Sequence, residues 1–310
     1  MGAWSVEAMF RQPPETVESH LLMNWTEAIR ICSLETFRNA MDILKSLIPF
    51  LLASSCATPA RDEDSPRMET HESEWIQLFN GKDLDGWRVK VSGYDLDDNS
   101  LGIFSVADGV IRIGYENLES FDGEFGHLIF DQPFESYRLR VEYRFLGEQC
   151  PGGPAWAWRN SGVMLHGQAP ESITKEQSFP VSIEAQMLGG PKDESGGTRS
   201  TANLCTPGTH VELDGKLLTQ HCVDSKSLTY FGDDWVTIEL EVHGGERILH
   251  WMDGEVVLAY EAPQLDPGDA DAKRLIDAGA ELLLSSGYVS LQAESHPMEI
   301  RKVEYLPIRF

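Results

Sequence analysis

Apolar and polar residues alternate with a period of two through most of the chain beyond residue 75. Residues 137–145 show it most cleanly. Leu139, Val141, Tyr143 and Phe145 share one parity; Arg138, Arg140, Glu142 and Arg144 share the other. Period two sends successive side chains to opposite faces, so this run predicts a strand with one buried face. Residues 235–243 repeat the pattern, and shorter runs at 101–106, 110–114, 127–130, 248–252 and 255–260 read as further strands. Asp108-Gly109 and Asp253-Gly254 stand where tight hairpin turns are needed. Within the folded domain only 266–284 has helical spacing, carried by Leu275, Ile276, Leu282 and Leu283 with Pro267 near its start. Many short strands, regular turns and one helix predict an all-β, two-sheet sandwich of jelly-roll form.

Three runs carry chemistry on one of their faces. In 160–168, Val163 and Leu165 point to the core, while Met164, His166 and Gln168 point away. In 179–188, Val181, Ile183, Ala185 and Met187 share the apolar face, and Ser182, Glu184 and Gln186 the other. In 287–303, Ser290, Gln292 and Glu294 are opposed to Val289, Leu291 and Ala293. If these strands are neighbours, Glu184, Gln186, His166 and Gln292 meet on one surface. Asn160, Glu294 and His296 join them at the strand ends. The Gly/Pro loop 150–158 adds Trp156 and Trp158, whose flat faces suit the apolar side of a sugar ring. A solvated sheet face is also polar, but it usually carries scattered Lys, Thr and Glu rather than groups that bind hydroxyls or move protons.

Charge narrows the partners. Fifty acidic against 25 basic residues give a net charge of −25, which repels phosphate. Nucleic acid is excluded as a natural partner, and a membrane is expected only through a lipid anchor. The 310 residues divide unevenly. Residues 41–56 combine Lys45, a short apolar run and small residues before Cys56, the layout of a lipoprotein signal in which Cys56 is lipidated. Residues 1–40 then form an upstream extension, 57–74 a polar tether and 75–310 the folded domain. The expected location is the periplasm or outer membrane of a bacterium, after export. Cys205 and Cys222 bracket one loop and are either a bridge or two buried thiols. Export favours the bridge, worth about 3 kcal/mol in the chain-entropy model. No C-x-x-C pair is present, so a thiolate zinc site is not indicated.

Leu78-Phe-Asn-Gly-Lys-Asp-Leu-Asp-Gly-Trp87, Asn160-Ser-Gly162, Glu184-x-Gln186, Asp253-Gly254 and Leu291-Gln292 with Ile300-Arg-Lys-Val303 follow in order. Together they resemble the 3-keto-disaccharide hydrolase family. The resemblance implies a concanavalin-like jelly roll that cleaves glycosides oxidised to a ketone at C3, a net hydrolysis that passes through a lyase-type elimination. A C3 ketone acidifies the C2 proton, so the chemistry needs a base, a holder for the enolate oxygen and an acid for the leaving group. Glu184 and His166 are the expected catalytic pair. Asn160, Gln186, Gln292, Glu294, His296 and Trp158 are expected to bind a small neutral carbohydrate. A divalent cation, or His and Arg donors, would hold the enolate. The competing expectation is a carbohydrate-binding module without catalysis, which needs the same amides and aromatics but no base. A paired-carboxylate glucanase strand fits poorly, because Gln186 occupies the next position on the face of Glu184.

Overall fold

The computed structural model describes residues 74–191 and 197–309. The expected signal 41–56 with its Cys56, the extension 1–40 and nearly all of the tether lie outside the described residues. The described strands, in chain order, are β1 (Ile76–Gln77), β2 (Trp87–Val91), β3 (Phe104–Ala107), β4 (Val110–Ile113), β5 (Gly126–Phe134) and β6 (Ser136–Phe145). Next come β7 (Asn160–Gly167), β8 (Ile183–Leu188), β9 (Asn203–Cys205), β10 (Thr209–Leu213), β11 (Lys216–Leu218) and β12 (Cys222–Val223). The last five are β13 (Val236–His243), β14 (Arg247–Met252), β15 (Glu255–Leu265), β16 (Gly287–Ala293) and β17 (Met298–Pro307).

They form two antiparallel sheets, a jelly-roll sandwich. The larger has ten strands, ordered β11-β10-β15-β14-β13-β6-β17-β4-β3 with β1 paired to β17; the smaller has seven, ordered β12-β9-β8-β7-β16-β5-β2. Leu139, Val141, Ile238, Leu240 and Val303 from the larger sheet meet Val163, Leu165, Ile183, Ala185 and Leu291 from the smaller, all fully buried. Each such side chain contributes roughly 1.5–3 kcal/mol by leaving water. The outward face of the larger sheet is a lattice of ion pairs, with Arg138 and Arg140 on Glu239 and Arg144 on Glu299.

Two elements are shorter than periodicity predicts. The helix spans only Ala270–Asp277 (α1). The Asp269 carboxylate caps it by accepting from the amides of Asp271 and Ala272, as an N-cap should. It ends at Gly279, whose φ of +98° suits glycine. Leu282 and Leu283 do not extend its buried stripe. They are largely exposed and lie along β15, with Leu283 bridged to Gln264. Strand β8 begins at Ile183 rather than 179, because Pro180 has no amide to give a ladder and the Val181 amide is taken by Gln168 Oε1 at 2.8 Å. Cys205 and Cys222 are bonded, their Cα atoms 4.1 Å apart, and Cys150 is a buried free thiol.

Candidate active site

The parity of β7, β8 and β16 sends their apolar residues into the sandwich, so their polar residues line the outer face of the smaller sheet. Register then decides which of them meet. Met164 lies opposite Glu184 on one side and Ser290 on the other, and Gly162 lies opposite Gln186. Across β9, Glu184 faces Cys205 and Gln186 faces Asn203. Across β5, Gln292 faces His127. The Ser161 hydroxyl donates to the Gln292 carbonyl at 2.7 Å, tying β7 to β16 at this level.

Glu184 leans across its neighbour strand. A Cβ on Gly162 would stand 2.7 Å from Glu184 Cγ and 2.8 Å from Oε1, so only glycine leaves space for the carboxylate. Glu184 is 6% exposed, and burial pushes it up to about 8. Glu294, just past the end of β16, is 3% exposed. Burial raises it well above the usual carboxylate range, the charge of Glu184 raises it further, and Arg199 pulls it back. Two buried carboxyl groups close enough to repel share their protons as a pair.

Around this pair, buried polar atoms stand without protein partners. They include Asn160 Oδ1, both amide atoms of Gln292, Glu294 Oε2, both ring nitrogens of His296 and His127 Nδ1. An unsatisfied buried group costs about 1–3 kcal/mol, so such a concentration points to a polar ligand rather than to the fold's own needs. His296 is held down to about 4 by burial and by Arg159, so it is a neutral imidazole. Trp158 stands edge-on to it, ring centres 6.1 Å apart. Gln186 Oε1 accepts from Asn203 Nδ2 at 3.2 Å. One Arg199 nitrogen, Nη1, donates to the carbonyls of Trp158, Arg159 and Gly189 at 2.7, 3.3 and 3.2 Å, which anchors the guanidinium beside Glu294. On the other side, Trp156 stacks on Phe125 at 5.7 Å and Phe125 packs on Phe179 at 4.9 Å. Trp156 is 37% exposed, an indole open to the surface beside Asn160.

Of the residues predicted from sequence, Glu184, Gln186, Asn160, Gln292, Glu294, His296 and Trp158 belong to this region. His166 does not. It takes a left-handed φ of +50° at a bulge where the β16 register shifts between Tyr288 and Ser290. The bulge cancels the parity that predicted its direction. Its Nε2 instead bonds the Gly244 carbonyl, from the β13–β14 turn of the opposite sheet, at 2.9 Å. His127, Asn203 and Arg199 were missed. His127 had a signal, since it opposes Leu128 in parity; Arg199 lies in a loop with no periodicity. Among the described residues, no group of three or more His, Cys, Asp or Glu converges as a metal-binding set.

A jelly-roll sandwich with a buried acid pair and unpartnered amides on the outer face of one sheet is the class of protein these features define. The chain belongs to the 3-keto-alpha-glucoside-1,2-lyase-like domain family, whose model matches residues 74–305. A 3-keto-disaccharide hydrolase of Bacteroides thetaiotaomicron is 30% identical over 118 residues, 38% of this chain and 36% of that protein. The match thus spans little more than a third of that relative's length. A protein from Parabacteroides distasonis described as a candidate glycosyl hydrolase is similar at 18% identity and a TM-score of 0.46, covering 76% of this chain and 95% of its own. The β-glucanase of Bacillus licheniformis is similar at 11% identity and a TM-score of 0.42, covering 76% and 100%. Likeness at that level extends to neither site nor substrate.

Proposed function

We propose that this protein is a glycoside-cleaving enzyme acting on 3-keto glycosides by elimination and hydration. Family membership and the name of the Bacteroides relative support the substrate class; the observation that carries the reading is the buried pair of Glu184 and Glu294 set among unpartnered hydroxyl-binding groups. A sugar-binding module has use for the amides and the indole, but not for two carboxyl groups whose burial costs stability.

In the proposed reaction, the Glu184 carboxylate takes the C2 proton, and the C–H electrons pass to the C3 oxygen as an enolate. Gln292 Nε2 and the Arg199 guanidinium would be the donors to that oxygen. The enolate collapses, a C1–C2 double bond forms and the C1–O bond breaks, with the proton on Glu294 going to the leaving oxygen. Water then adds through oxygen at C1. Glu184, once its proton has exchanged with water, protonates C2, and the adding water's proton restores Glu294. The balance is net hydrolysis. A carboxylate near 8 is a stronger base than a solvated one, which offsets the low acidity of a carbon acid.

The test is turnover of a 3-keto disaccharide and its unoxidised parent by the wild type and by Glu184→Gln. The wild type should cleave the keto form only, and Glu184→Gln should lose at least about 10²-fold in kcat, the usual scale of a general base. Equal cleavage of the unoxidised parent, or an unchanged variant, contradicts the reading.

A further inference from the structure

A second hollow, which the proposed reaction leaves unused, lies where the chain enters β8 and leaves β9. Its volume is about 440 Å³, within the range of small-molecule sites, and Phe179, Thr206, His210, His221 and Asp266 are among its walls. Three contacts run from its walls toward the candidate active site. Cys205 faces Glu184 across the β8–β9 ladder, and Thr206 is the next residue on that strand's exit. Phe179 lines the hollow, and its ring meets His127 edge-on at 6.2 Å. The carbonyl of Ser178, also in the wall, bonds His127 Nε2 at 3.1 Å. Phe179 thus stands between the hollow and His127, which pairs across the ladder with Gln292.

The disulfide builds the far wall. Cys205–Cys222 ties the β12 strand to β9, and the Thr206 amide donates to the His221 carbonyl at 2.9 Å. His221 is therefore fixed on the rim next to the strand that faces Glu184. The lining is rich in hydroxyl, imidazole and carboxylate groups, and among the described residues no Lys or Arg contributes to it. His210 Nε2 is paired with Asp266 at 3.2 Å, and its Nδ1 is buried without a partner. Asp269 is occupied with capping α1, and Asp271 is paired with Arg274 at 3.2 Å. Neutral hydroxyls can donate to these carboxylates and accept from the imidazoles, whereas a phosphate or carboxylate brought here meets like charge, the neighbouring Arg274 being already paired with Asp271.

We infer that this hollow, walled by Phe179 and by the His221 that the disulfide pins in place, is the leaving-group subsite, and that it takes an uncharged sugar and rejects an anionic one. The inference rests on the proposed glycoside cleavage for its role, but the recognition of a neutral sugar stands on the hollow itself.

Two measurements on the full 310-residue chain separate the two claims. First, glucose and glucose 6-phosphate are titrated while the ring signals of His210 and His221 are followed by NMR. Glucose should shift both saturably in the millimolar range, and the phosphate ester should not. Absence of a glucose shift, or an equal shift with both, overturns the inference. Second, the wild type and His221→Ala are compared on a 3-keto disaccharide and on a methyl 3-keto glucoside. The variant should raise KM for the disaccharide about three- to tenfold, one neutral hydrogen bond's worth, with kcat held and the methyl glycoside unaffected. The same change on both substrates, or on neither, overturns the inference. Should glucose shift the histidines while no keto glycoside is cleaved, the proposed reaction falls and the sugar site stands.

Discussion

Glu184 is placed by a neighbour that has no side chain. The carboxylate occupies the space a Cβ on Gly162 would fill, at 2.7 Å from its Cγ. Gly162→Ala must push the base aside, and a displacement near 1 Å can cost about 10²-fold in rate. The expected outcome is a folded protein with kcat down by about that factor, checked by steady-state kinetics beside a circular dichroism spectrum. Glu184 also sets a stability signature. Its folded value near 8 exceeds the ordinary 4.5, so the native state holds this proton more tightly than the unfolded chain does. The stability that follows is full below about pH 4.5 and is lost as pH rises through 8. The difference is on the order of 3–5 kcal/mol when fully expressed. Glu184→Gln removes one of the pair's two titrations and the charge that raises Glu294, so its Tm relative to wild type should rise by several degrees between pH 4.5 and pH 8. A gap independent of pH contradicts a raised Glu184. A variant more stable and less active is what a group kept for chemistry produces.

At the scale of elements, parity was the legible part. The alternation in β7, β8 and β16 is enough to place Glu184, Gln186 and Gln292 on the outward face, because their apolar partners have a core to enter. The same rule fails for His166, one bulge further on, since a left-handed residue breaks the period that the rule assumes. A bulge is set by strand pairing and turn geometry from distant segments, which the local pattern does not contain. The helix was visible in kind but not in extent. The pairing of Leu283 with Gln264 depends on β15 from earlier in the chain. Arg199 was illegible for another reason. It is held by three carbonyls from two separate segments, and nothing periodic in its own loop predicts them.

For the whole molecule, the two sheets divide their labour. The larger turns outward a lattice of arginine–glutamate pairs, and most of the unpaired buried polar atoms among the described residues gather on and beside the smaller. Surface pairs contribute little stability each, whereas unpaired buried groups cost it, so the asymmetry marks the smaller sheet as the working face. The net charge of −25 and the absence of basic lining in the second hollow agree with an uncharged substrate. Proton removal at C2 leaves an isotopic trace in the product. The reaction is run in D2O on a 3-keto disaccharide, and the released 3-keto sugar is analysed by NMR for deuterium at C2. Elimination and hydration predict deuterium at C2 beyond the exchange that the free 3-keto sugar undergoes in the same buffer. Release of a sugar that keeps its C2 protium would contradict proton removal at C2 and assign the cleavage to direct displacement at C1.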